Sequence, residues 1–352
     1  LLQRGRHAAI TLSQVQIARL LANAFFCTFP HRNTHRPDAE YHNYPSINFN
    51  KLFGNSTKSK IEKLRAIMHY FKMVTQEESK LNGLVTFERF CIGDSEKPNW
   101  RSCEEKLQKL HVTSQGSIEE NGLGMLQVDF ANSLIGGGVL DSGLVQEEIL
   151  FLMNPELIVS RLFTERLADN ECLIITGSQK FSCYSGYKDN FEWTGAYEDK
   201  LERDQCKRLK RQILAIDALR FRNQSYQSDM NITIRELNKA YCGFKKQHQH
   251  EEPDIATGKW GCGAFGGDPQ LKALIQLMAA AKAGRGLAFF TFRDERLRKE
   301  LQQIYHLLVT EETTVGKLYK LLEKYCTVQR VDQHVHLFDF IRKSIRPSRS
   351  LL

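Results

Sequence analysis

Five short runs, residues 84–90, 125–130, 172–176, 213–219 and 287–292, constrain the fold most, because several are apolar on both alternating faces. A strand without a polar face has to be covered on both sides, as in a sheet enclosed by helices. Helix signals fall between these runs. Asn154-Pro155 and Asp268-Pro269 each set a capping side chain before a Pro at the first helical position, ahead of apolar stretches at 157–167 and 271–281. Strands alternating with helices predict an α/β layered domain. The segments 297–308 and 315–325 are helical again. The first third reads as helix, with a Thr11 and Gln14 capping-box pair ahead of Val15, Leu20, Leu21, Ala24 and Phe25, and helical spacing at Ile61, Leu64, Ile67, Met68 and Phe71.

At 352 residues the chain buries about three quarters of its unfolded surface, so a core needs neither disulfides nor a metal. Nine cysteines without a CxxC pair read as reduced, buried thiols of an intracellular protein. The pairs His248/His250 and His334/His336 lack a Cys or carboxylate cluster nearby and read as surface histidines. No metal and no cofactor are expected. The net charge of +8 is uneven: Arg4, Arg6, Arg19, Arg32 and Arg36 meet no acid in residues 1–36, nor do Arg342, Lys343, Arg346 and Arg349 in residues 341–352. The ends carry the whole excess and the middle has no basic stripe interleaved with aromatics, which predicts solvated ends and no direct nucleic-acid partner. No run reaches the ~18 uncharged apolar residues of a membrane helix, and the N-terminus has no signal-peptide order, so a soluble protein without a membrane partner is expected.

Two glycine clusters each lie between a strand candidate and a helix candidate: Gly136-Gly137-Gly138, and Gly261-Cys262-Gly263-Ala264-Phe265-Gly266-Gly267. Glycine brings backbone N–H groups close to phosphate oxygens, so a diphosphate between two such loops is one expectation and tight turns are the other. Neither cluster is a nucleotide-triphosphate loop, and the Gly316-Lys317 pair does not make one either, since Leu318 follows in place of Ser or Thr and no second glycine lies five residues earlier. Gln146, Glu147 and Glu148 open a short helix through Leu152, where neighbouring side chains point about 100° apart and the two carboxylates take different parts. A carboxyl against an anionic, desolvated ligand would be raised toward the range of a general acid. The alternative is an acidic first turn that only favours the helix.

The run from Gly136 to Glu148, three glycines followed closely by Gln-Glu-Glu, resembles the signature of the poly(ADP-ribose) glycohydrolases. Segments 12–29, 119–132, 154–164, 236–244 and 260–268 also resemble that family's catalytic region, so the likeness spans nearly the whole chain. Leu1 in place of Met, and the lack of the long N-terminal part usual in animal members, make a truncated or short form the expectation. The resemblance implies a macrodomain-like α/β fold, a mixed sheet between helical layers with flanking helical accessory segments. The expected division is a helical accessory segment at 1–83, a catalytic domain at 84–330 and a basic tail at 331–352. It implies hydrolysis of ribose–ribose glycosidic bonds in poly(ADP-ribose), with ADP-ribose in a cleft across the sheet ends. Poly(ADP-ribosyl)ated proteins are then the partners, the chain a monomer, and the setting the nucleus and cytoplasm, with a mitochondrial form among the options, in the DNA damage response.

Carried onto matching positions, Glu148 is implied as the acid that protonates the leaving ribose oxygen and then activates water. Glu147 is implied to orient ribose hydroxyls, with Asp129 the third acidic residue. Asn132 and Gln146 are implied to bind the ribose units, Ile118 and Glu119 the adenine, and Tyr187 and Phe292 the adenosine end. Phe265 would press on the ribose at the bond being cut, and Gly261, Gly263 and Ala264 would give N–H groups to the diphosphate, in a substrate-binding segment that includes Lys259, Trp260 and Cys262. Each has a plainer alternative: core aromatics at 187 and 292, a satisfied carboxylate at 129, a hydrophobic plug at 265. Lys259 and Arg293 stand where Asn and Gly are expected from vertebrate members, and both add positive charge. Rival functions are a non-catalytic ADP-ribose reader, an inactive short form, and an enzyme that removes single ADP-ribose units from protein side chains.

Overall fold

The computed structural model describes residues 1–34, 36–76, 81–222, 227–248 and 252–345. His250, Arg346 and Arg349 lie outside the described residues, as does the end of the 331–352 tail. Two compact units are present: Leu1–Cys91 with Asp129–Asp217, and Ile92–Val128 with Ala218–Leu352. The segment 1–83 is thus built into the same unit as the chain after Asp129.

In the first unit, β1 (Ala8–Ser13), β2 (Leu84–Cys91), β5 (Glu171–Thr176) and β8 (Gln212–Asp217) pair antiparallel in that order. Strands β5 and β8 are buried on both faces, as their unbroken apolar runs require. The helices are α1 (Gln14–Phe25), α2 (Asn50–Phe53), α3 (Lys58–Gln76), α5 (Gln146–Met153) and the single turn α6 (Ser160–Phe163). A hairpin of β6 (Ser182–Ser185) and β7 (Glu192–Ala196) completes the unit. Phe87, Leu173, Ile175 and Ile213 share one core with Tyr70 from α3 and with Phe151 and Leu152 from α5.

Two local expectations are corrected here. Thr11 does not cap α1: it lies in β1 opposite Thr86, and its hydroxyl meets the Thr86 hydroxyl at 2.9 Å. Ser13 is the cap, accepting from Gln16 N at 3.1 Å while Gln16 Oε1 accepts from Ser13 N at 2.9 Å. Asn154 turns its amide back to Leu150 O, so no long helix starts there; a 3₁₀ turn, Pro155–Val159, runs into α6 instead.

The second unit is parallel. It contains β3 (Leu110–Thr113), α4 (Ile118–Asn121), the start of β4 (Leu126–Ala131), α7 (Met230–Phe244), β9 (Ile255–Gly258), α8 (Pro269–Ala283) and β10 (Leu287–Phe290). Three further helices follow, α9 (Glu295–Thr310), α10 (Val315–Val331) and α11 (Leu337–Ile345). Strand β9 pairs with β4 and β10, and β10 with β3, all parallel. Parallel neighbours need a crossover, and α8 supplies it between β9 and β10. Its start is as expected, with Asp268 Oδ1 accepting from Leu271 N at 2.8 Å ahead of Pro269, and Gly284 ends it at φ +68°. Antiparallel and parallel strands thus occur in one α/β chain with helices around them.

Candidate active site

Strand β4 continues into the first unit through Asp129, the Gly136–Gly138 loop follows, and α5 begins at Gln146. A helix start leaves four N–H groups free and carries partial positive charge, which favours Glu147 and Glu148 in the first turn of α5. Both carboxylates are nevertheless taken up by other backbone. Glu147 accepts from Asn132 N at 2.8 Å and Gly136 N at 3.0 Å. Glu148 accepts from Gly138 N at 2.9 Å and, reaching back over its own helix start, from Val145 N at 3.0 Å. The third N–H of the cluster, on Gly137, goes to Leu134 O at 3.1 Å. This corrects the reading of Gly136, Gly137 and Gly138 as N–H donors to a diphosphate: the loop holds the glutamates.

Gly137 sits at φ +49°, and a Cβ there would lie 2.5 Å from Glu148 Oε1 and 3.0 Å from Glu147 Oε1. Only a residue without a side chain lets the backbone come this close. Gly143 approaches from the other side, where a Cβ would fall 2.6 Å from Glu148 Oε1.

Asp129 is fully buried, and among the described residues neither of its oxygens accepts from a backbone N–H or a hydroxyl, so it is not a satisfied strand-end carboxylate. Its carboxyl faces that of Glu147. Two buried carboxyls bond to each other only if one keeps a proton. Burial, and then repulsion among the three acids, raises Glu147 well above the usual range; burial pushes Asp129 up to about 7. The two N–H donors on Glu147 favour its charged form, so we place the shared proton on Asp129. Between the ordinary aspartate value of 3.8 and about 7, the folded chain holds a proton that the unfolded chain has lost, and stability therefore falls as pH rises through that window. Asp129→Asn keeps a donor to Glu147 without the titration. It is expected to melt with a shallower pH dependence and above the parent at pH 7.5; parallel melting curves from pH 4 to 7.5 would remove the proton from Asp129.

Gln146 Oε1 accepts from Phe130 N at 2.8 Å, tying α5 to β4, and Asn132 Oδ1 accepts from Leu134 N at 3.0 Å. The Tyr187 hydroxyl meets the backbone of Gln146 near Glu148, which brings this residue to the acidic cluster. Its 37% exposure, and 60% at Phe292, exclude the core-aromatic alternative for both.

In the second unit the Lys259–Phe265 segment is a turn closed by Cys262 N to Lys259 O at 3.1 Å and Gly267 N to Gly261 O at 2.8 Å. Trp260 is corrected from a substrate contact to a support: it is fully buried, with Lys272 Nζ 4.3 Å from its ring centre. Lys272 also pairs with buried Glu236; burial pushes that carboxyl up, but Lys272 and Arg235 together hold it below the usual range. Burial pushes the Cys262 thiol up to about 12, so it stays a neutral thiol, half-buried at the turn. Among the described residues, the N–H groups of Gly261, Gly263, Ala264 and Phe265 find no acceptor, and Gly263 and Ala264 are exposed. Phe265 is half-buried and its carbonyl accepts from Phe221 N at 2.8 Å. Ile118 is buried and Glu119 half-buried on α4. Lys259 Nζ stands 3.6 Å from Asp294 Oδ2, so that carboxylate meets part of its added charge. Phe292 and Arg293 hold consecutive left-handed conformations, φ +54° and +61°, so Arg293 occupies a backbone that favours the expected glycine.

Two residues that the sequence reading did not single out sit behind the glycine loop. Lys63 of α3 is buried, and its Nζ donates to the carbonyls of Gly138 at 3.0 Å, Val139 at 3.2 Å and Asp141 at 2.7 Å. Burial pushes this amine down to about 7, against the pull of Glu148 and Asp141. Arg161 of α6 donates to the carbonyls of Ile135 and Gly137. A signal for Lys63 was present: it falls on the buried stripe of α3 with Ala66, Ile67, Tyr70 and Val74.

Residues 97–299 match the family described as poly(ADP-ribose) glycohydrolase (PARG), macro domain fold, and residues 1–89 match its helical domain. The chain is 34% identical to poly(ADP-ribose) glycohydrolase 1 of Arabidopsis thaliana, over 92% of this chain and 71% of that one. It is 34% identical to poly(ADP-ribose) glycohydrolase 1 of Caenorhabditis elegans, over 90% and 40% of the two chains, and 31% identical to that organism's glycohydrolase 2, over 98% and 70%.

Proposed function

The chain belongs to the poly(ADP-ribose) glycohydrolase family, and from that premise we propose that it cleaves the ribose–ribose bonds of poly(ADP-ribose) with Glu148 as the single acid and base. The observation that carries this reading is the pair of adjacent carboxylates, each fixed by two N–H groups. Most glycosidases divide acid and nucleophile or base between carboxylates on opposite sides of the bond. Glu147 and Glu148 are neighbours in one helical turn and cannot flank a bond. Glu148 gives its proton to the departing ribose oxygen as the C–O bond breaks with its electrons toward that oxygen. The cationic sugar carbon then takes water, whose proton returns to Glu148. Glu147 orients the ribose hydroxyls, and protonated Asp129 keeps Glu147 in place from below.

Asn132 and Tyr187 lie close enough to these acids to contact the same sugar. In the second unit, the unbonded N–H groups of Gly261, Gly263 and Ala264 suit a diphosphate, Phe265 a ribose face, and Ile118, Glu119 and Phe292 an adenosine. These assignments rest on the resemblance; Gly263, Ala264 and Phe292 are exposed, whereas Ile118 is buried. A non-catalytic reader would need only such groups; the intact acidic cluster favours the enzyme.

Incubation with purified poly(ADP-ribose), with mono-ADP-ribosylated protein in parallel, is the test. Free ADP-ribose is expected from the polymer and none from the mono-modified protein. ADP-ribose binding without release would favour the reader or an inactive short form, and release from the mono-modified protein alone would favour the removal of single units.

A further inference from the structure

We propose that Arg161 is a positioning residue for this hydrolysis, acting on Glu147 and Glu148 through the two peptide groups that hold them. The inference rests on the acid role given to Glu148 above. Arg161 Nη1 donates to Ile135 O at 2.8 Å and to Gly137 O at 2.9 Å, and its Nε donates to Ser46 O at 2.7 Å. The Ile135 carbonyl and the Gly136 N–H are two ends of one peptide group, and that N–H binds Glu147 Oε2. The Gly137 carbonyl and the Gly138 N–H are likewise one group, and that N–H binds Glu148 Oε1. One guanidinium nitrogen therefore stands behind both glutamates, one peptide away from each.

Hydrogen bonds in series polarise one another, so a cation on the carbonyl side strengthens the N–H on the carboxylate side. The arrangement also answers a question of charge. Arg161 is buried, and among the described residues it makes no direct ion pair; its balancing charge is that of Glu147 and Glu148 across the peptides. Gly136 permits the approach, since a Cβ there would lie 3.0 Å from Nη1. Arg32 fixes the turn that carries Arg161, donating to Arg161 O at 2.9 Å, Leu162 O at 2.8 Å and Pro45 O at 2.7 Å. The charged and titratable groups around the two glutamates are Asp129 on β4, Lys63 on α3, Arg161 on α6 and Tyr187 after β6, with Arg32 behind Arg161. Lysine at 161 would keep the charge but not the planar fork that reaches Ser46 and both loop carbonyls.

The test compares Arg161→Gln, Arg161→Lys and Glu148→Gln for turnover of poly(ADP-ribose), ADP-ribose affinity and melting temperature. Outer residues that orient reacting groups typically account for roughly 10–100-fold in activity, and a fall in kcat of that size is expected for Arg161→Gln with ADP-ribose affinity unchanged. Arg161→Lys is expected to recover part of the lost turnover. A folded Arg161→Gln with the parent's kcat would overturn the proposal, as would a loss shared equally by turnover and ADP-ribose binding. Turnover by Glu148→Gln would instead overturn the acid assignment, whatever Arg161 does. If neither Arg161 variant folds, nitrogen resonances of the unaltered protein decide. The Arg161 guanidinium and the Gly136 amide are expected to shift together as Glu147 titrates, and a guanidinium signal constant through that titration would refute the relay.

Discussion

Glu148→Gln is expected to lower ADP-ribose release from polymer by about 10²- to 10⁴-fold, the usual reach of a positioned proton donor, while ADP-ribose affinity stays near that of the parent. Glutamine matches the shape of glutamate but has one acceptor oxygen where the carboxylate has two. The parent uses both, toward Gly138 N and Val145 N. One of those N–H groups would face an amide NH2 in the variant, at a stability loss of about 1 kcal/mol. That is too little to unfold a domain of this size, whereas a side chain with no acidic proton cannot protonate the leaving oxygen. Titration calorimetry with ADP-ribose, beside the release assay, separates the two. Affinity that falls in step with turnover would make Glu148 a binding residue and leave the acid to be found elsewhere.

Gly137→Ala should be nearly as damaging without changing any titratable group. The new methyl carbon would sit 2.5 Å from Glu148 Oε1 and 3.0 Å from Glu147 Oε1, and neither carboxylate can yield without losing the N–H bonds that fix it. A left-handed φ of +49° adds about 1–2 kcal/mol of backbone strain for any residue with a Cβ. Displacing a reacting group by ~1 Å costs on the order of 100-fold in rate, and a loss of at least that size is expected here. Gly284→Ala is the control: its φ is +68°, and nothing lies within 4 Å of the added carbon. Similar losses of melting temperature in both variants, with turnover lost only in Gly137→Ala, would tie the effect to the carboxylates. Full activity in Gly137→Ala would mean that their position tolerates the shift.

Long apolar strands and helices with a strong start were legible in the sequence. Strand β5 shows its hydrophobic run without interruption, and Asp268-Pro269 opens α8 as its side chains dictate. The short strands were not. Ile255–Gly258 is four residues of mixed character, and it is a strand because β4 and β10 lie on either side. The Thr11 cap failed for a related reason, since pairing with β2 outweighs a local motif. In the candidate site, residue types and spacing picked out the glutamates and both glycine clusters. They could not tell which N–H groups were already engaged. Gly136 and Gly138 spend theirs on Glu147 and Glu148, whereas Gly263 and Ala264 do not, and that difference is set by side chains folding back from α5. Arg161 carries no motif of its own; its part depends on where Ile135 and Gly137 turn their carbonyls.

The grip of Lys63 on the loop bears on how such a protein can be divided. Its three carbonyl partners, on Gly138, Val139 and Asp141, belong to the stretch that leads from the glycines to Glu148, yet the lysine itself comes from α3, ahead of β2. A piece trimmed to begin at β2 would keep every residue of the glycine and glutamate signature and lose the ammonium that satisfies those three carbonyls. The smallest part that keeps the loop's setting therefore includes a helix that carries none of the glycines or glutamates of the signature. Grafting the glycine loop and α5 onto another scaffold would transfer the acids but not their setting, unless a buried amine were built in beneath them.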